Sequence, residues 1–384
     1  CRENKMKLIH LSDLHLGKRI NAFSMIEDQR DILTKIIGII DNERPDAVLI
    51  AGDVYDKSVP SADAVELFDD FLVRLAKRSL QIFVISGNHD SPERIAFGRR
   101  LMDRSGVHMS PVYNGQVLPV SLEDIYGTVN IYMLPFLKPA HVRRYFPDIK
   151  IDTYTDALRV AVTKMNLNPA ERNILVTHQF VTGAIRSDSE EISVGGSDHV
   201  DASVFADFDY VALGHLHRPQ NCTSDRIRYC GTPLKYSFSE VGDQKSVTII
   251  ELSRKGTQFI RTAELVPKHD MKEIRGSYKE LTLKKFYENS TYQEDYMHIT
   301  LTDEEDIPYA IGKLRSIYHN LMKLDYDNKR TRSNPEISVN ANAERESPMN
   351  LFSDFYKKQN NQAMSEEQSS FMRALFERVW GENE

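Results

Sequence analysis

The stretch DYVALGHLHRPQ, residues 209–220, decides the fold. Its apolar run, 210–214, is followed by two histidines one residue apart, His215 and His217. A short continuous apolar run is typical of a strand that is covered on both faces. Taken alone, two such histidines indicate a polar turn more often than a metal site, so the pair has to be compared with the other strand ends.

Four earlier apolar runs end in the same way, with helical patterns at 26–43 and 61–78 between them. In an α/β fold, side chains that follow parallel strands converge at the carboxyl ends of the sheet. Each residue singly could cap a turn or be a satisfied core histidine, but five such ends in order predict one shared site. The runs are 7–12, followed by Asp13 and His15; 46–52, followed by Asp53; 82–87, followed by Asn88, His89 and Asp90; and 173–177, followed by His178.

The residue types at these ends predict the chemistry. Carboxylates, imidazoles and an amide oxygen without a thiolate suit Mn²⁺, Fe or Zn²⁺. Seven candidate ligands exceed what one ion usually takes, so two ions are expected. Such a pair lowers the pKa of a trapped water, supplies hydroxide, and neutralises charge on phosphoryl oxygens during in-line attack.

The blocks DLH, GD, GNHD, H and GHLH, in this order, resemble those of the calcineurin-like binuclear metallophosphoesterases. The resemblance covers about residues 6–250 and implies a four-layer α-β-β-α sandwich. It places Asp13 and His217 on one metal with His15 beside them, makes Asp53 the bridge, and assigns Asn88, His178 and His215 to the second metal. It also makes His89 a proton donor or transition-state stabiliser and Asp90 its orienting partner. The alternative for His89 is that it only lines the pocket.

Finer segments, including YCGTPLKYSFSE and KLDYDNKRTR, resemble the bacterial nuclease subunits of double-strand-break repair complexes. This implies exonuclease action on duplex DNA ends, endonuclease action on single strands, Mn²⁺ as the favoured ion, and an SMC/ABC-type ATPase partner. The family usually pairs, which implies a homodimer within a heterotetramer. Two alternatives stay open: a small-molecule phosphodiesterase or phosphatase of the same superfamily, and a scaffold without chemistry.

Four segments are expected along the chain. They are a nuclease domain (6–266), a small α+β DNA-capping domain (268–332), a polar linker (333–348) and C-terminal helices that dock the ATPase (349–384). In the last segment a capping-box pattern at 365–368 predicts a helix start. The apolar stripe after it either binds the partner or packs on the protein's own core; its residues are Phe371, Leu375, Phe376, Val379 and Trp380.

Candidate phosphate contacts are basic residues after the first block and in the small domain. Each could equally be part of a solvated charged face. They are Lys18, Arg19, Lys323, Lys329, Arg330 and Arg332. The polar loop 186–200, after the fourth block, is either a substrate or dimer contact or a mobile surface loop.

The composition sets the remaining limits. Of 384 residues, 41% are hydrophobic and 27% charged, which is ordinary for a soluble globular protein. The formal net charge of −7 gives no overall basic signature, although local patches matter more for DNA binding than the total. No apolar run approaches the roughly 20 residues of a membrane span. Cys1, Cys222 and Cys230 form no CxxC, so a reducing cytoplasm is expected. Residues 1–5 precede Met6, which is expected to be the natural start.

Overall fold

The computed structural model describes residues 5–190, 198–305, 307–329, 349, 352, 353, 356 and 364–380. The chain divides into two compact units, Cys1–Lys272 and Glu273–Glu384. Among the described residues we find no helix with the length and hydropathy of a membrane span.

The first unit contains two extended sheets built from short strands. The strands are β1 (Met6–Leu11), β2 (Arg19–Ile20), β3 (Phe23–Ser24), β4 (Ala47–Ala51), β5 (Gln81–Ile85), β6 (Val107–Met109), β7 (Val120–Asp124), β8 (Gly127–Leu134), β9 (Arg172–His178), β10 (Phe180–Val181), β11 (His199–Val200), β12 (Tyr210–Gly214), β13 (Gln220–Cys222), β14 (Ser224–Tyr229), β15 (Ser246–Leu252) and β16 (Gln258–Glu264).

The helices of this unit connect strands of the two sheets. The α-helices are α1 (Ile26–Glu43), α2 (Ala62–Ala76), α3 (Pro92–Ile95), α4 (Arg99–Met102), α5 (Pro139–Arg143) and α6 (Tyr154–Thr163). Three 3₁₀ turns add Asp103–Ser105, Ala202–Phe205 and Phe238–Glu240.

Each of the two sheets has six strands. The first has the order β16-β15-β1-β4-β5-β6, with β1, β4, β5 and β6 parallel and the β15–β16 hairpin antiparallel beside β1. The second has the order β13-β14-β12-β9-β8-β7, with a parallel centre and antiparallel β7 and β13 at its edges. The parallel strands place their carboxyl ends at one edge of each sheet.

The sheets pack face to face through a shared apolar core. Leu8, Leu49 and Phe83 of the first sheet belong to the same buried cluster as Val176 and Ala212 of the second. Residues of α5 and α6 cover the outer face of the second sheet. On the other side, α1 and α2 bury one apolar face each, and α2 contacts β5. The predicted α-β-β-α sandwich is therefore confirmed.

The hairpin 246–264 extends the first sheet beside β1. In α2, Val65 is 45% exposed, whereas Leu67 and Phe71 are buried. Ser61 caps this helix, accepting a hydrogen bond from the backbone N–H of Ala64.

The second unit has a three-stranded sheet. Its order is β17 (Met271–Gly276), β18 (Tyr296–Leu301) and β19 (Leu321–Tyr326), and its helices are α7 (Tyr278–Leu281), α8 (Lys284–Tyr287) and α9 (Ala310–Arg315). The predicted α+β character of 268–332 is present in this unit. Helix α9 is short, because Tyr309 before it is left-handed (φ 56°) and Ser316 ends it.

The C-terminal helix, α10 (Glu366–Trp380), begins as its capping box predicts. The backbone N–H of Ser365 donates to Gln368 Oε1 at 2.9 Å, and that of Gln368 donates to Ser365 Oγ at 3.2 Å. The linker predicted at 333–348 and the basic residues Arg330 and Arg332 lie outside the described residues.

Candidate metal centre

The structure brings the seven predicted ligands together. The chain supplies them directly after β1, β4, β5 and β12, and at the last residue of β9. Asn88 is half-buried and the other six are buried; these are Asp13, His15, Asp53, His178, His215 and His217. Because both sheets present the carboxyl ends of their parallel strands here, residues up to 204 positions apart meet in one buried cluster.

One group of donors surrounds His15. Its Nε2 atom lies 3.1 Å from His217 Nε2 and 3.7 Å from Asp53 Oδ2. Asp13, His15 and His217 each offer a donor atom within 4.8 Å of the other two. Three donors at this spacing match the arrangement of one divalent cation.

A second group surrounds Asn88. Its Oδ1 lies 2.9 Å from both His178 Nε2 and His215 Nδ1. His178 Nε2 is also 3.3 Å from Asp53 Oδ2. Asp53 therefore faces both groups, which is the geometry expected of a bridging carboxylate.

Backbone strain holds several of these side chains in place. Asp13, His15, Asp53 and His215 all have positive φ angles of 51°, 44°, 46° and 105°. A non-glycine residue with such a backbone conformation destabilises the folded state by on the order of 1–3 kcal/mol, and residues of this kind cluster at functional sites. The backbone N–H of His215 donates to Asp13 Oδ1 at 3.0 Å, which ties two strained residues of different sheets together.

Burial and charge shift the pKa values of the cluster. Burial raises the pKa of Asp13 to about 6, and the charge of Asp53 adds to the shift. Burial lowers the pKa of His15 well below its usual value and that of His215 to about 3. Burial also disfavours the charged forms of Asp53 and His178, yet their mutual attraction wins: the pKa of Asp53 falls far below its usual range and that of His178 rises to about 9. An anionic Asp53 is thus stabilised by positive charge beside it.

The donor set fits two divalent cations. Carboxylate, imidazole and amide donors from different strands face each other with no thiolate among them, which suits Mn²⁺, Fe or Zn²⁺. Two imidazole nitrogens, those of His15 and His217, point at one another inside the protein. This contact matches a site whose polar atoms are arranged around a cation.

His89 lies beside the cluster, half-buried, with its Nε2 3.9 Å from Asp53 Oδ2. Asp90, the residue expected to orient His89, contacts the backbone. Its carboxylate accepts hydrogen bonds from the backbone N–H groups of Val54, Tyr55 and Gly87 at 2.9–3.1 Å. The contact at the His89 ring is instead from Nδ1 to the carbonyl of Asp56, at 3.1 Å. Asp90 therefore holds the two loops that carry Asp53 and His89.

The predicted phosphate contacts have different environments. The Lys18 ammonium pairs with Asp56 at 2.8 Å and is largely buried, so it supports the first loop. Arg19 is exposed and donates to the carbonyl of Ala22. Lys323 pairs with Asp325 at 2.7 Å, and Lys329 is exposed.

Several supporting residues were not predicted. Gln29 Nε2 donates to the carbonyl of His15 at 2.8 Å, and Tyr236 donates to that of Leu14 at 2.7 Å. Around His217 the unpredicted residues are Ser189, Glu190, Glu240 and Lys245. The segments YSFSE and 186–190 are polar, but polarity alone does not reveal which side chain turns inward.

Two packed sheets whose strand ends gather this donor set define a calcineurin-like phosphoesterase. The profile of that family matches residues 6–219, and the chain belongs to it. A second profile, described as the type 5 capsule protein repressor C-terminal domain, matches residues 267–360.

Two curated relatives are both named as the SbcD component of the nuclease SbcCD. The protein from Staphylococcus epidermidis is 31% identical over 377 residues, covering 96% of this chain and 98% of the relative. That from Staphylococcus saprophyticus is 34% identical over 325 residues, covering 83% of this chain and 84% of the relative. A solved dimetal phosphatase from Danio rerio is 13% identical with a TM-score of 0.42, covering 69% of this chain and 98% of that one.

Proposed function

We propose that the protein is a metal-dependent DNA nuclease that works with an SbcC-type ATPase in DNA break processing. The observation that carries the proposal is Asp53, whose carboxylate lies 3.7 Å from His15 Nε2 and 3.3 Å from His178 Nε2, between two sets of ligands. The relatives named for the nuclease SbcCD, one of which matches nearly the whole chain, support DNA as the substrate.

Two divalent cations fit the seven ligands, and Mn²⁺ suits these oxygen and nitrogen donors. When bound, such a pair would supply Lewis acidity toward the phosphodiester and lower the pKa of a water molecule at the site. The protein's own part is to hold Asp53 anionic between His15 and His178 and to fix the imidazoles by burial and backbone strain.

His89 is proposed to stabilise or protonate the leaving oxygen of the scissile bond. It is half-buried at the edge of the ligand cluster, and its Nδ1 contact with the Asp56 carbonyl orients the ring. If Nδ1 donates in that contact, Nε2 stays free for exchange with the substrate. A positioned imidazole of this kind typically contributes about 10²–10⁴-fold to a proton-transfer step.

The expected substrates are duplex DNA ends, cut by exonuclease action, and single strands, cut by endonuclease action. The second unit is proposed as a DNA-capping domain, with the exposed Lys329 and, outside the described residues, Arg330 and Arg332 as phosphate contacts. Arg19 is proposed as a contact beside the first loop.

The partner is proposed to bind α10, where Phe371 is 68% exposed and Leu375 and Phe376 are half-buried. The side chains of Val379 and Trp380 belong to the same proposed surface but lie outside the described ones. An apolar helix face of this kind suits helix-in-groove docking. We further propose a homodimer within a heterotetramer, located in the cytoplasm.

A comparison of substrates tests the proposal. The full chain with Mn²⁺ is incubated with end-labelled duplex DNA, circular single-stranded DNA and an aryl phosphodiester. We expect Mn²⁺-dependent cleavage of both DNA substrates, stimulated on duplex ends by the ATPase partner and ATP. Cleavage of the aryl ester alone, at every protein concentration and with the partner present, would instead identify a small-molecule phosphodiesterase.

A further inference from the structure

His217 is held by four residues that lie beyond the metal ligands. We call Ser189, Glu190, Glu240 and Lys245 the His217 support network. Ser189 Oγ lies 2.5 Å from His217 Nδ1 and donates to Glu240 Oε1 at 2.6 Å. Since its only proton goes to Glu240, Ser189 Oγ accepts from His217, which requires the proton of that ring to reside on Nδ1.

Further contacts of the network lead from Glu240 through Lys245 back to the backbone of His217. Glu240 Oε2 pairs with the Lys245 ammonium at 2.5 Å, and that ammonium donates to the carbonyl of His217 at 2.8 Å. The backbone N–H of His217 donates to Glu190 Oε1 at 2.6 Å. Every polar atom of His217 except Nε2 is thereby engaged by the network, and Nε2 is the atom that faces His15.

The Glu240–Lys245 pair is almost completely buried, with side-chain exposures of 0% and 3%. A buried ion pair is weak support for stability, because the loss of hydration offsets much of its attraction. Here the contacts of both charged groups lead to one histidine. The Lys245 ammonium also donates to Thr232 Oγ1 at 2.9 Å, next to the His217 carbonyl. The arrangement is better explained by control of that ring than by stabilisation of the fold.

We infer that the His217 support network is a positioning device that fixes the Nδ1–H tautomer of His217 and aims Nε2 at the metal centre. The inference rests on the proposed two-metal function. Partners that orient metal-bound histidines raise metal affinity by about 10–100-fold. Ser189 and Glu190 belong to the loop that follows β10, whereas Glu240 and Lys245 lie between β14 and β15. The network therefore connects the His217 ring to both segments.

The test measures Mn²⁺ binding to the full chain by electron paramagnetic resonance of free Mn²⁺, without DNA. Ser189→Ala removes the hydroxyl from the half-buried Ser189 and leaves the buried Glu240–Lys245 pair intact. Ser189→Thr restores a hydroxyl, and Ser203→Ala removes one from an exposed serine of the same unit. We expect one of two Mn²⁺ ions to bind about tenfold or more weakly in Ser189→Ala, and wild-type binding in the other two variants.

The ring tautomer gives a second readout in the metal-free protein. Long-range ¹H–¹⁵N spectra of histidine-labelled chain should show His217 as the Nδ1–H form in the wild type and as a mixture in Ser189→Ala. The inference would be overturned if Ser189→Ala bound Mn²⁺ with wild-type affinity, or if Ser189→Ala and Ser189→Thr lost Mn²⁺ affinity equally. In either case the proposed function would stand as long as two ions still bind. A wild-type chain that binds no pair of ions would instead overturn the proposed function.

Discussion

The Nε2 atoms of His15 and His217 lie 3.1 Å apart in the interior of the first unit, although one follows β1 and the other follows β12. Two imidazole nitrogens at this distance must share a proton or face a common cation. Burial lowers the pKa of His15 well below its usual value, so its ring is neutral and available as a ligand. The two sheets are thus joined at the site by a pair of imidazole donors.

Substitution Asp53→Asn should weaken binding of both ions, because one carboxylate faces His15 and His178 together. We expect Mn²⁺ affinity to fall by at least the 10–100-fold that is typical when a residue that only orients a metal ligand is removed. Isothermal titration calorimetry measures it, and Asp207→Asn, at an exposed carboxylate, is the control. Two ions bound with wild-type affinity would contradict the bridging role.

Substitution His89→Ala should separate chemistry from metal binding. We expect DNA cleavage to fall by about 10²–10⁴-fold, as for loss of a general acid, with both Mn²⁺ ions retained. Single-turnover cleavage and metal content are measured on the same samples, with His199→Ala, at an exposed histidine, as the control. Loss of one ion in His89→Ala would show that His89 is a ligand.

Substitution Gly87→Ala should displace Asp53. A methyl group at Gly87 would lie 2.1 Å from Asp53 Oδ1 and 2.4 Å from its backbone nitrogen. We expect the free energy of unfolding to fall by about 1–3 kcal/mol, as for overpacking, together with weaker Mn²⁺ binding. Gly242→Ala, where an added methyl group meets nothing within 4 Å, should change neither quantity. Unchanged urea unfolding in Gly87→Ala would show that the loop adapts freely.

His10 should make stability depend on pH. Burial lowers its pKa from 6.5 to about 3, and the charge of Arg228 adds to this effect. Below pH 6.5 the unfolded chain therefore binds a proton that the folded chain excludes, so the free energy of unfolding decreases as pH falls from 6.5 toward 3. The contribution is at most about 1.4 kcal/mol per pH unit. Urea unfolding at several pH values should give a shallower dependence in His10→Gln, and parallel curves would contradict the assignment.

Substitution Phe371→Asp tests the proposed partner surface. The ring is 68% exposed on α10, so its removal should not lower the melting temperature. If it anchors the partner, binding to the ATPase should weaken by roughly 30-fold, which corresponds to about 2 kcal/mol. Ser370→Asp places the same charge one residue earlier at an exposed position. A lower melting temperature in Phe371→Asp would favour packing on the protein's own core.

The metal cluster could be predicted because its residues follow apolar runs, and strand ends are visible in the sequence. The distribution of these strands over two sheets could not. The runs before Asp53 and His178 look alike, yet β4 and β9 belong to different sheets. Strand pairing depends on contacts between distant segments, and a single sequence contains no direct signal of them.

The residues that support the metal ligands could not be predicted from the sequence, for a different reason. Asp90 follows His89 directly, which suggested a contact between the two, but its carboxylate turns toward the backbone of Val54 and Tyr55. Ser189 and Glu240 are 51 positions apart, and a hydrogen bond between their side chains joins the two segments. Neither loop has the regular periodicity from which side-chain direction can be inferred.

Strand β1 has a consequence for synthesis of the protein on the ribosome. It lies between β4 and β15, and β15 begins at Ser246. A nascent chain that has not yet exposed this hairpin leaves one flank of β1 without hydrogen-bond partners. Completion of the first sheet must therefore wait for some 240 residues of translation, which is the kind of long-range closure that slows folding.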